Sequence, residues 1–512
     1  MTLTGHPAET LILDGQTLSI DGIVRVVRDR LPVTIADSAW ERIADGRRVV
    51  DEIVARGDSA YGVTTGVGSQ KDYHFKTGEA EAFNRRLLVA HATVASDSRV
   101  PDDVVRAALL VQLNGFVSGR SGVRPLLVRA LLDRLVSGSI PIATAGSSVG
   151  ASDLVPLAQM ALSLLGATDP VRAEGDDIRD LRLAAKEALS LMNSNAVSIG
   201  KGALCLSEAE RLLSAFELGL CMSLEGFRGN LSIIDPAVVD ARPQRGQRLA
   251  TLHMRSLLRG SALFEEGQPR FLQDPLSFRC APQVHGAAHS ALTWIWRKWE
   301  TELNSVADNP VVDFTNRRLV SHGNMDTTLL TLGLDTLRSA FAEVIDVSAQ
   351  RLHKLHWPSF SGLPAGLAAD HGPTGGVQFL NLGHIAESHA ATARAAASPT
   401  LPTYQGQLAD GVEDHATPLP LAVDHTERLI EVAWVVLAVE VVIGCWAISR
   451  RGIDIAQLGA GVREPYRCVV EMLPIGREGE QVFDLRPVVR YLRGLPHYVP
   501  TDEDKFVAVP AT

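Results

Sequence analysis

The sequence has few aromatic residues and no surplus of positive charge. Phe, Trp and Tyr make up 5% of the 512 residues. The 49 lysines and arginines fall below the 59 aspartates and glutamates, so the formal net charge is −10. A chain without a basic surplus lacks the electrostatic footprint that nucleic acids and anionic membranes select. We therefore expect neither nucleic acid nor a membrane as a partner.

Cysteine is also sparse, and the N-terminus lacks a cationic stretch followed by an apolar run. The five cysteines form no CxxC pair; they are Cys205, Cys221, Cys280, Cys445 and Cys468. This pattern argues against a disulfide framework or a zinc site, and the histidines show no HExxH spacing. With no secretion signal, the sequence predicts a cytoplasmic protein with reduced thiols and no metal.

The remaining composition is that of a folded, mostly helical protein. Hydrophobic residues make up 46% and charged residues 21%, which is typical of globular domains, and the length favours about three of them. Residues 432–448 form the most apolar run but carry Glu440 at their middle. Because this run is shorter than a membrane span and holds a carboxylate, it predicts the central helix of a buried bundle.

Three regions follow each other along the chain. Residues 1–200 mix short segments with glycine-rich loops, and the alternation around Asp14-Gly15 predicts a hairpin over residues 10–23. Residues 201–475 contain long amphipathic runs, which predict a mostly α, long-helix bundle. Residues 476–512 are polar, and we expect an irregular, peripheral C-terminal segment. The long runs are 207–226, 284–304, 325–355, 377–396 and 426–450.

The stretch GSSVGASDLVPLA, residues 146–158, joins a glycine-rich loop to a predicted helix. At such a junction the backbone N–H groups point outward and favour negative charge. One interpretation of Ala151-Ser152 is a reactive site. The other is a tight turn in which Ser152 or Asp153 is the helix N-cap.

Seven further motifs accompany this stretch. They are YGVTTGVGS from Tyr61, KEALSLMNSN (186–195), QDPLSFRCAPQ (273–283), ELNSVADNP (302–310), SHGNM (321–325), SGLPAGL (361–367) and VEDH (412–415). Their order resembles the histidine and aromatic amino-acid ammonia-lyases, most closely the histidine branch. The resemblance runs from about residue 10 to 475. It implies an all-α fold like that of fumarase, with the active-site loops on the N-terminal region, and a homotetramer that shares its active sites between chains.

Members of that family form a methylidene-imidazolone electrophile from their own backbone. The amide nitrogen of the third residue of Ala-Ser-Gly attacks the carbonyl of the first, and the serine loses water. The resemblance places Ala151 and Ser152 at the first two positions. Asp153 stands third, because one glycine is missing before DLVPLA. Asp153 adds a Cβ that glycine would not bring to the turn. No external cofactor is implied.

The resemblance also assigns roles to single residues. Tyr61 matches the catalytic base, whose pKa would have to fall from about 10 to act near neutral pH. Arg279 matches the arginine that binds the substrate carboxylate, and Asn193 matches the asparagine beside the electrophile. The alternatives are a tyrosine that anchors loop packing and an arginine in a structural ion pair.

Other positions bear on the substrate. His91, Gln273 and Glu413 match the histidine branch, where the histidine and the glutamate meet the substrate imidazole. His91 could instead be a core histidine, and Glu413 could form a salt bridge with a neighbouring helix. Leu276 stands where the family has tyrosine, and Met325 where it has phenylalanine, so a hydroxyl and a ring are lost. In ELNSVADNP we expect structural support for a helix end or turn.

These observations leave several functions open. The first is ammonia-lyase elimination from histidine or an aromatic L-α-amino acid, and an aminomutase of the same family would share its residues. A homologue without the cross-link could catalyse another elimination or addition. A non-catalytic binding paralogue would keep only the scaffold.

Overall fold

The structure, a computed structural model, describes residues 9–76, 78–166, 182–368, 376–403, 406–474 and 482–499. It is mostly α-helical, as the sequence predicts. The α-helices are α1 (Ile20–Arg28), α2 (Asp37–Arg56), α3 (Ala80–His91), α4 (Asp102–Val117), α5 (Pro125–Ser137), α6 (Leu154–Leu164), α7 (Glu187–Met192), α8 (Ala196–Phe227), α9 (Pro236–Ala241), α10 (Arg245–Leu257), α11 (Leu276–Arg279), α12 (Ala281–Leu303), α13 (Thr328–His356), α14 (Pro358–Ser361), α15 (Val377–Ala396), α16 (Leu419–Arg450), α17 (Ala460–Val470) and α18 (Arg486–Gly494). Short 3-10 helices cover Gly68–Gln70, Leu231–Ile234, Ala262–Phe264, Ala365–Leu367, Leu401–Thr403, Ala409–Gly411 and Ile455–Gln457.

The chain forms two compact units, each built from separate stretches of sequence. Unit 1 comprises Met1–Ser207, Trp296–Leu332 and Pro399–Asp424. Unit 2 comprises Glu208–Ile295, Gly333–Ser398 and His425–Thr512. The division into 1–200, 201–475 and 476–512 stays a prediction.

The strands are short, and the predicted hairpin at residues 10–23 is wrong. The strand β1 (Leu11–Leu13) pairs in parallel with β2 (Val33–Ile35), whereas β3 (Val311–Asp313) and β4 (Arg318–Val320) are antiparallel. After β1, the Asp14 carboxylate accepts hydrogen bonds from the N–H groups of residues 16 and 17. Ser19 then caps α1. Local side-chain bonds therefore turn the chain into a helix rather than back along β1.

The apolar run at residues 432–448 lies in α16, and it is buried inside the protein. By length and composition α16 could cross a membrane, yet 89% of its most apolar window is buried. Glu440 is fully buried and is bonded to Arg351 on α13. This agrees with the predicted core helix.

The C-terminal segment is more regular than expected, because α18 lies within it. Val488 and Leu492 are buried on one side of α18. Spaced four residues apart, they form one apolar face of a helix.

Candidate active site

The predicted electrophile loop is a tight turn at the N-terminus of α6. Gly150 has φ of +88° and Ser152 has φ of +68°. A Cβ on Gly150 would lie 1.7 Å from the carbonyl oxygen of Thr417, so only glycine fits there. The loop is thereby held against the segment that carries Glu413.

Asp153 is buried at the end of this loop and bonds outward through both its backbone and its side chain. Its N–H donates to the carbonyl oxygen of Ser194 at 2.7 Å. Its carboxylate accepts hydrogen bonds from the N–H and Oγ of Ser198 at 2.8 and 2.9 Å and from Ser148 Oγ at 2.9 Å. Burial raises the pKa of this carboxyl above its usual range, although these donors oppose the rise.

The position of the Asp153 side chain modifies the N-cap interpretation. Asp153 is the residue before α6, but its carboxylate makes no capping bond to that helix. It bonds instead to Ser198 in the first turn of α8, where a negative charge meets the positive end of the helix dipole. The two helix N-termini therefore meet at the loop.

Ser152 is buried beneath Asn193. The Ser152 hydroxyl donates to Asn193 Oδ1 at 2.8 Å, and Asn193 Nδ2 donates to the carbonyl oxygen of Asn309 at 3.4 Å. Two residues further on, Asn195 Nδ2 donates to the carbonyl oxygen of Met325 at 2.7 Å. The start of α8 thus joins the electrophile loop to the Met325 segment.

The tripeptide at residues 151–153 fits backbone cyclisation in several respects. It forms a tight turn with a positive φ at Ser152, which is 1% exposed. Asn193 accepts a hydrogen bond from the Ser152 hydroxyl. Cyclisation requires the Asp153 nitrogen to exchange its bond to Ser194 for one to the Ala151 carbonyl carbon. In the open chain the Asp153 carboxylate is held by three hydrogen bonds.

Tyr61 is half-buried, and its hydroxyl oxygen accepts a hydrogen bond from the Gly68 N–H at 3.0 Å. Burial raises the pKa of Tyr61, and the nearby Glu413 charge adds to the rise. A tyrosine base needs the opposite shift. The predicted role therefore requires a positive charge near the Tyr61 hydroxyl, and none contributes to its pKa here.

Glu413 and Tyr61 are on adjoining loops of unit 1. Glu413 and Leu408 bond to each other through their backbones, closing the turn that contains residues 409–411. A Cβ on Gly68 would lie 3.3 Å from the Cβ of Ala409. This contact brings the loop after Tyr61 against the Glu413 loop.

His91 is half-buried in the last turn of α3, which packs against α6 and α7. Its Nδ1 lies 2.8 Å from the carbonyl oxygen of Leu87. A carbonyl only accepts, so Nδ1 carries the proton and Nε2 is the acceptor of the neutral ring. His91 can therefore accept a hydrogen bond from an imidazole N–H.

The remaining predicted residues belong to unit 2. Gln273 Oε1 accepts a hydrogen bond from an Arg279 guanidinium nitrogen at 2.8 Å. Within the described part of the chain Arg279 forms no ion pair, so its charge is available for a carboxylate. Leu276 is 61% exposed. Unit 1 thus holds Tyr61, His91, Ala151, Ser152, Asp153, Asn193, Met325 and Glu413, and unit 2 holds Gln273, Leu276 and Arg279.

Sequence reasoning did not find Ser198 and Thr417, and it placed Asn195 only within the motif at residues 186–195, without a contact of its own. Asn195 donates to the carbonyl oxygen of Met325, the Ser198 N–H donates to the Asp153 carboxylate, and the Thr417 carbonyl oxygen leaves no room for a Cβ at Gly150. Each of these contacts reaches a segment distant in sequence. The N-terminus of α8 was the available signal for Ser198. Among the described residues, no group of three or more His, Cys, Asp or Glu is placed to hold a metal ion.

Known proteins resemble this chain over nearly its whole length. The aromatic amino acid lyase family profile matches residues 18–470. A histidine ammonia-lyase of Treponema denticola is 32% identical over 468 residues, covering 89% of this chain and 91% of the relative.

Two solved structures also resemble this chain over nearly its whole length. The ergothioneine-degrading enzyme ergothionase of Treponema denticola is 29% identical with a TM-score of 0.86, covering 95% of this chain and 98% of the other. A tyrosine aminomutase of Streptomyces globisporus shares the fold, with a TM-score of 0.87 and 24% sequence identity. The match covers 95% of this chain and 97% of the aminomutase.

These matches place the chain among the carbon–nitrogen lyases with a long-helix fold. The chain belongs to the aromatic amino acid lyase family.

Proposed function

We propose that the protein eliminates ammonia from an L-α-amino acid, histidine or an aromatic one, through a methylidene-imidazolone formed by Ala151, Ser152 and Asp153. The observation that carries the proposal is the buried, reversed turn at Ser152, whose hydroxyl is held by Asn193 at 2.8 Å. Such a group supplies the strong electrophile that ordinary side chains lack. Removing a weakly acidic β-proton and a poor leaving group requires that help.

The side chains of this chain supply the remaining tasks. Tyr61 takes the β-proton, and Arg279 binds the substrate carboxylate through its guanidinium. Because Tyr61 needs a cation to lower its pKa, we place the two residues together in the assembled enzyme. Family resemblance implies a homotetramer whose sites use several chains, so that Gln273, Leu276 and Arg279 act on the unit 1 residues of another copy.

Glu413 and His91 are the residues proposed to orient the substrate ring. A carboxylate and an acceptor nitrogen suit the two N–H groups of an imidazolium. Met325 and Leu276 give the pocket flexible apolar walls in place of rings. The Glu413 carboxylate and the His91 acceptor nitrogen favour histidine or a histidine derivative among the substrates.

Intact-mass spectrometry of the purified protein tests the electrophile. The mass should fall by two water molecules relative to the sequence mass. Ser152→Ala removes the hydroxyl that leaves as water, so this variant should lose at most one. A wild-type mass without any loss would overturn the cross-linked mechanism and favour a homologue that works without it.

Substrate assays test the reaction class. Purified enzyme is incubated with L-histidine, L-tyrosine, L-phenylalanine or ergothioneine, and the conjugated acrylate product is followed by absorbance. Tyr61→Phe should abolish turnover while keeping the mass loss. Glu413→Gln should raise KM for L-histidine more than KM for L-phenylalanine. A β-amino acid product would instead assign an aminomutase, and no product from any substrate would contradict the lyase.

We further propose that the enzyme is soluble and cytoplasmic, which is consistent with the absence of disulfide bonds between its cysteines in the described part of the chain. Its partners would be the small-molecule substrate and further copies of the same chain.

A further inference from the structure

The short helix α7 begins at a strained residue and ends at the residue that holds the electrophile loop. Lys186, the residue before α7, has φ of +77°, a left-handed conformation that residues with a side chain rarely adopt. Asn193, the residue after α7, accepts the hydrogen bond from the Ser152 hydroxyl. Backbone strain persists where the surrounding structure enforces it, and such residues cluster at functional sites.

One face of α7 is bonded to a single segment, Asp308-Asn309. Lys186 Nζ lies 2.5 Å from Asp308 Oδ2, and Ser190 Oγ donates to the same oxygen at 2.8 Å. Asn193 Nδ2 donates to the carbonyl oxygen of Asn309 at 3.4 Å. Since residues 186, 190 and 193 are spaced by four and three, they lie on the same side of a helix. The segment is thus attached to the start, the middle and the end of α7.

The Asp308-Asn309 segment is also held from outside α7. Ser121 Oγ donates to Asp308 Oδ1 at 2.8 Å. His322 donates twice, from its backbone N–H to Asn309 Oδ1 at 2.9 Å and from its Nε2 to the carbonyl oxygen of Asp308 at 3.1 Å. His322 Nδ1 accepts from the Asn324 N–H at 3.0 Å, so Nε2 carries the proton of the neutral ring. The carbonyl oxygen of Asn309 therefore has a fixed position.

The Asn309 carbonyl oxygen determines which way the Asn193 amide points. Because this oxygen only accepts, it binds the NH2 group and leaves Oδ1 facing the Ser152 hydroxyl. In the reversed amide, Oδ1 would face the Asn309 carbonyl, and two acceptors would be in contact. The next residue, Ser194, receives the Asp153 N–H on its carbonyl oxygen. The end of α7 therefore anchors the electrophile loop at two adjacent residues.

The ion pair at the start of α7 lies in the interior of unit 1. Lys186 is fully buried, and Asp308 is 3% exposed. Replacing a buried ion pair with apolar side chains of similar size is often neutral or stabilising, so stability alone does not account for these two charges. Apolar side chains would fill the same space without fixing the carbonyl oxygen of Asn309.

We propose that Lys186 and Asp308 are positioning residues for the formation of the electrophile. They act through Asn309 and Asn193, which hold the Ser152 hydroxyl, and not on the reacting atoms. The proposal rests on the proposed function, because the cross-link is the electrophile of the lyase. It gives the ELNSVADNP motif, for which the sequence predicts structural support, a part in the maturation of the tripeptide.

Maturation releases two water molecules. The Asp153 nitrogen bonds to the Ala151 carbonyl carbon, and the Ala151 oxygen leaves as water with one proton from each of the backbone nitrogens of Ser152 and Asp153. The Ser152 hydroxyl then leaves with the Cα proton of the same residue. Both steps require a defined orientation of the Ser152 side chain within the turn. A displaced Asn193 would leave the chain folded but slow to mature.

Intact-mass spectrometry of freshly purified protein, followed over time, tests this role. Lys186→Met removes the charge and keeps much of the side-chain length. We expect the variant to lose its two water molecules about tenfold more slowly than wild type, the effect on a rate of removing roughly one hydrogen bond. Circular dichroism verifies that the measured protein is folded. Equal rates in the two proteins would overturn the proposal.

Glu187→Gln is the matched control, because it breaks the neighbouring buried ion pair on the same helix. Glu187 is fully buried, and its carboxylate accepts from Arg124 and from the Ala184 N–H. These bonds reach neither Asp308 nor Asn309. The control should lower the urea midpoint of unfolding yet mature at the wild-type rate. A slowing as large as that of Lys186→Met would overturn the proposal, since any buried charge lost at α7 would then have the same effect.

The double variant Lys186→Met with Asp308→Leu separates positioning from stability. It leaves no unpaired charge in the interior, so its urea midpoint should lie above that of Lys186→Met. Maturation should remain slow, because neither new side chain fixes the Asn309 carbonyl oxygen. Recovery of the wild-type rate together with stability would overturn the proposal, since the ion pair would then be only structural.

The two proposals fail separately. A wild type that loses two water molecules but turns over no amino acid would contradict the lyase and leave the positioning role. An active wild type whose rate of maturation is shared by Lys186→Met and the double variant would contradict the positioning role and leave the lyase. A wild-type mass without any loss would overturn both.

Discussion

Asp153 takes the third position of the tripeptide and at the same time ties two helices together. Its N–H is bonded to Ser194, and its carboxylate is bonded to Ser148 and Ser198. Substituting glycine there would free the turn but break three side-chain bonds. The residue thus combines a backbone role in the loop with a side-chain role at the start of α8.

Truncating Asp153 should cost stability. Asp153→Ala leaves the Ser198 N–H without its acceptor in a buried position, and we expect a loss of about 2 kcal/mol in the free energy of unfolding. Asp153→Asn keeps an acceptor oxygen and should lose less than half of that. Urea unfolding followed by circular dichroism measures both, and equal losses would show that the acceptor is unimportant.

Glu302 should give the folding stability a distinctive pH dependence. Its pKa is raised from 4.5 to about 7 in the folded protein, so between these values the folded state holds a proton that the unfolded state has released. Stability should therefore fall as pH rises from about 4.5 to about 7 and remain lowered above it. Because Glu302 is only partly buried by surface area, we expect about 2 kcal/mol rather than the full shift.

Unfolding wild type and Glu302→Gln at pH 5 and pH 8 measures this contribution. The wild type should lose more stability than the variant over that interval. Parallel changes in the two proteins would contradict a buried, raised-pKa carboxyl at this position.

Among the elements, the long helices were the easiest to predict. Apolar residues recur along them at helical spacing over five turns or more, and α15 has the predicted bounds, 377–396. The hairpin at residues 10–23 failed because local side-chain bonds at Asp14 and Ser19 determine the turn. A pattern of alternation does not reveal such bonds, nor the long-range contact of Gly150 with Thr417.

Three long helices of unit 2 are joined by a fully buried ionic cluster. Glu440 on α16 accepts from Arg351 on α13 at 2.5 and 2.9 Å, and from Ser348 and Ser223 at 2.5 and 2.9 Å. These four hydrogen bonds meet at one carboxylate, and Arg351 Nη1 also donates to the carbonyl oxygen of Ser277 at 3.1 Å. The charge is satisfied only while the three helices keep their register.

Glu440→Gln should destabilise the bundle strongly, because it leaves the Arg351 cation buried without a counter-charge. Removing one partner of a buried pair typically costs about 3–5 kcal/mol. Replacing both residues, as in Arg351→Met with Glu440→Leu, should cost less than the single change. Denaturant midpoints of the three proteins test this, and a double variant less stable than Glu440→Gln would contradict it.

At the scale of the whole molecule, the predicted site residues fall into two sets. The order of the motifs and the family resemblance predict which residues these are, but not the environment of each side chain. Tyr61 is an example, since burial raises its pKa within unit 1 whereas the proposed role as a base needs the pKa lowered. A cation beside the Tyr61 hydroxyl, the place we propose for Arg279 in the assembled enzyme, would be a tertiary or quaternary feature that a linear motif does not contain.

Unit 2 exposes an apolar surface next to the predicted substrate residues, and the proposed homotetramer should cover it. Leu272 is 90% exposed and Leu276 is 61% exposed, and burying a leucine side chain contributes about 1.5–3 kcal/mol. Leu272→Asp should therefore weaken the assembly, so that light scattering coupled to size-exclusion chromatography reports a mass below four chains. Val136→Asp alters a valine in unit 1 that is 64% exposed and serves as the matched control, which should stay tetrameric. A wild-type monomer of full activity would contradict the shared active site, and a tetrameric Leu272→Asp would exclude this surface from the interface.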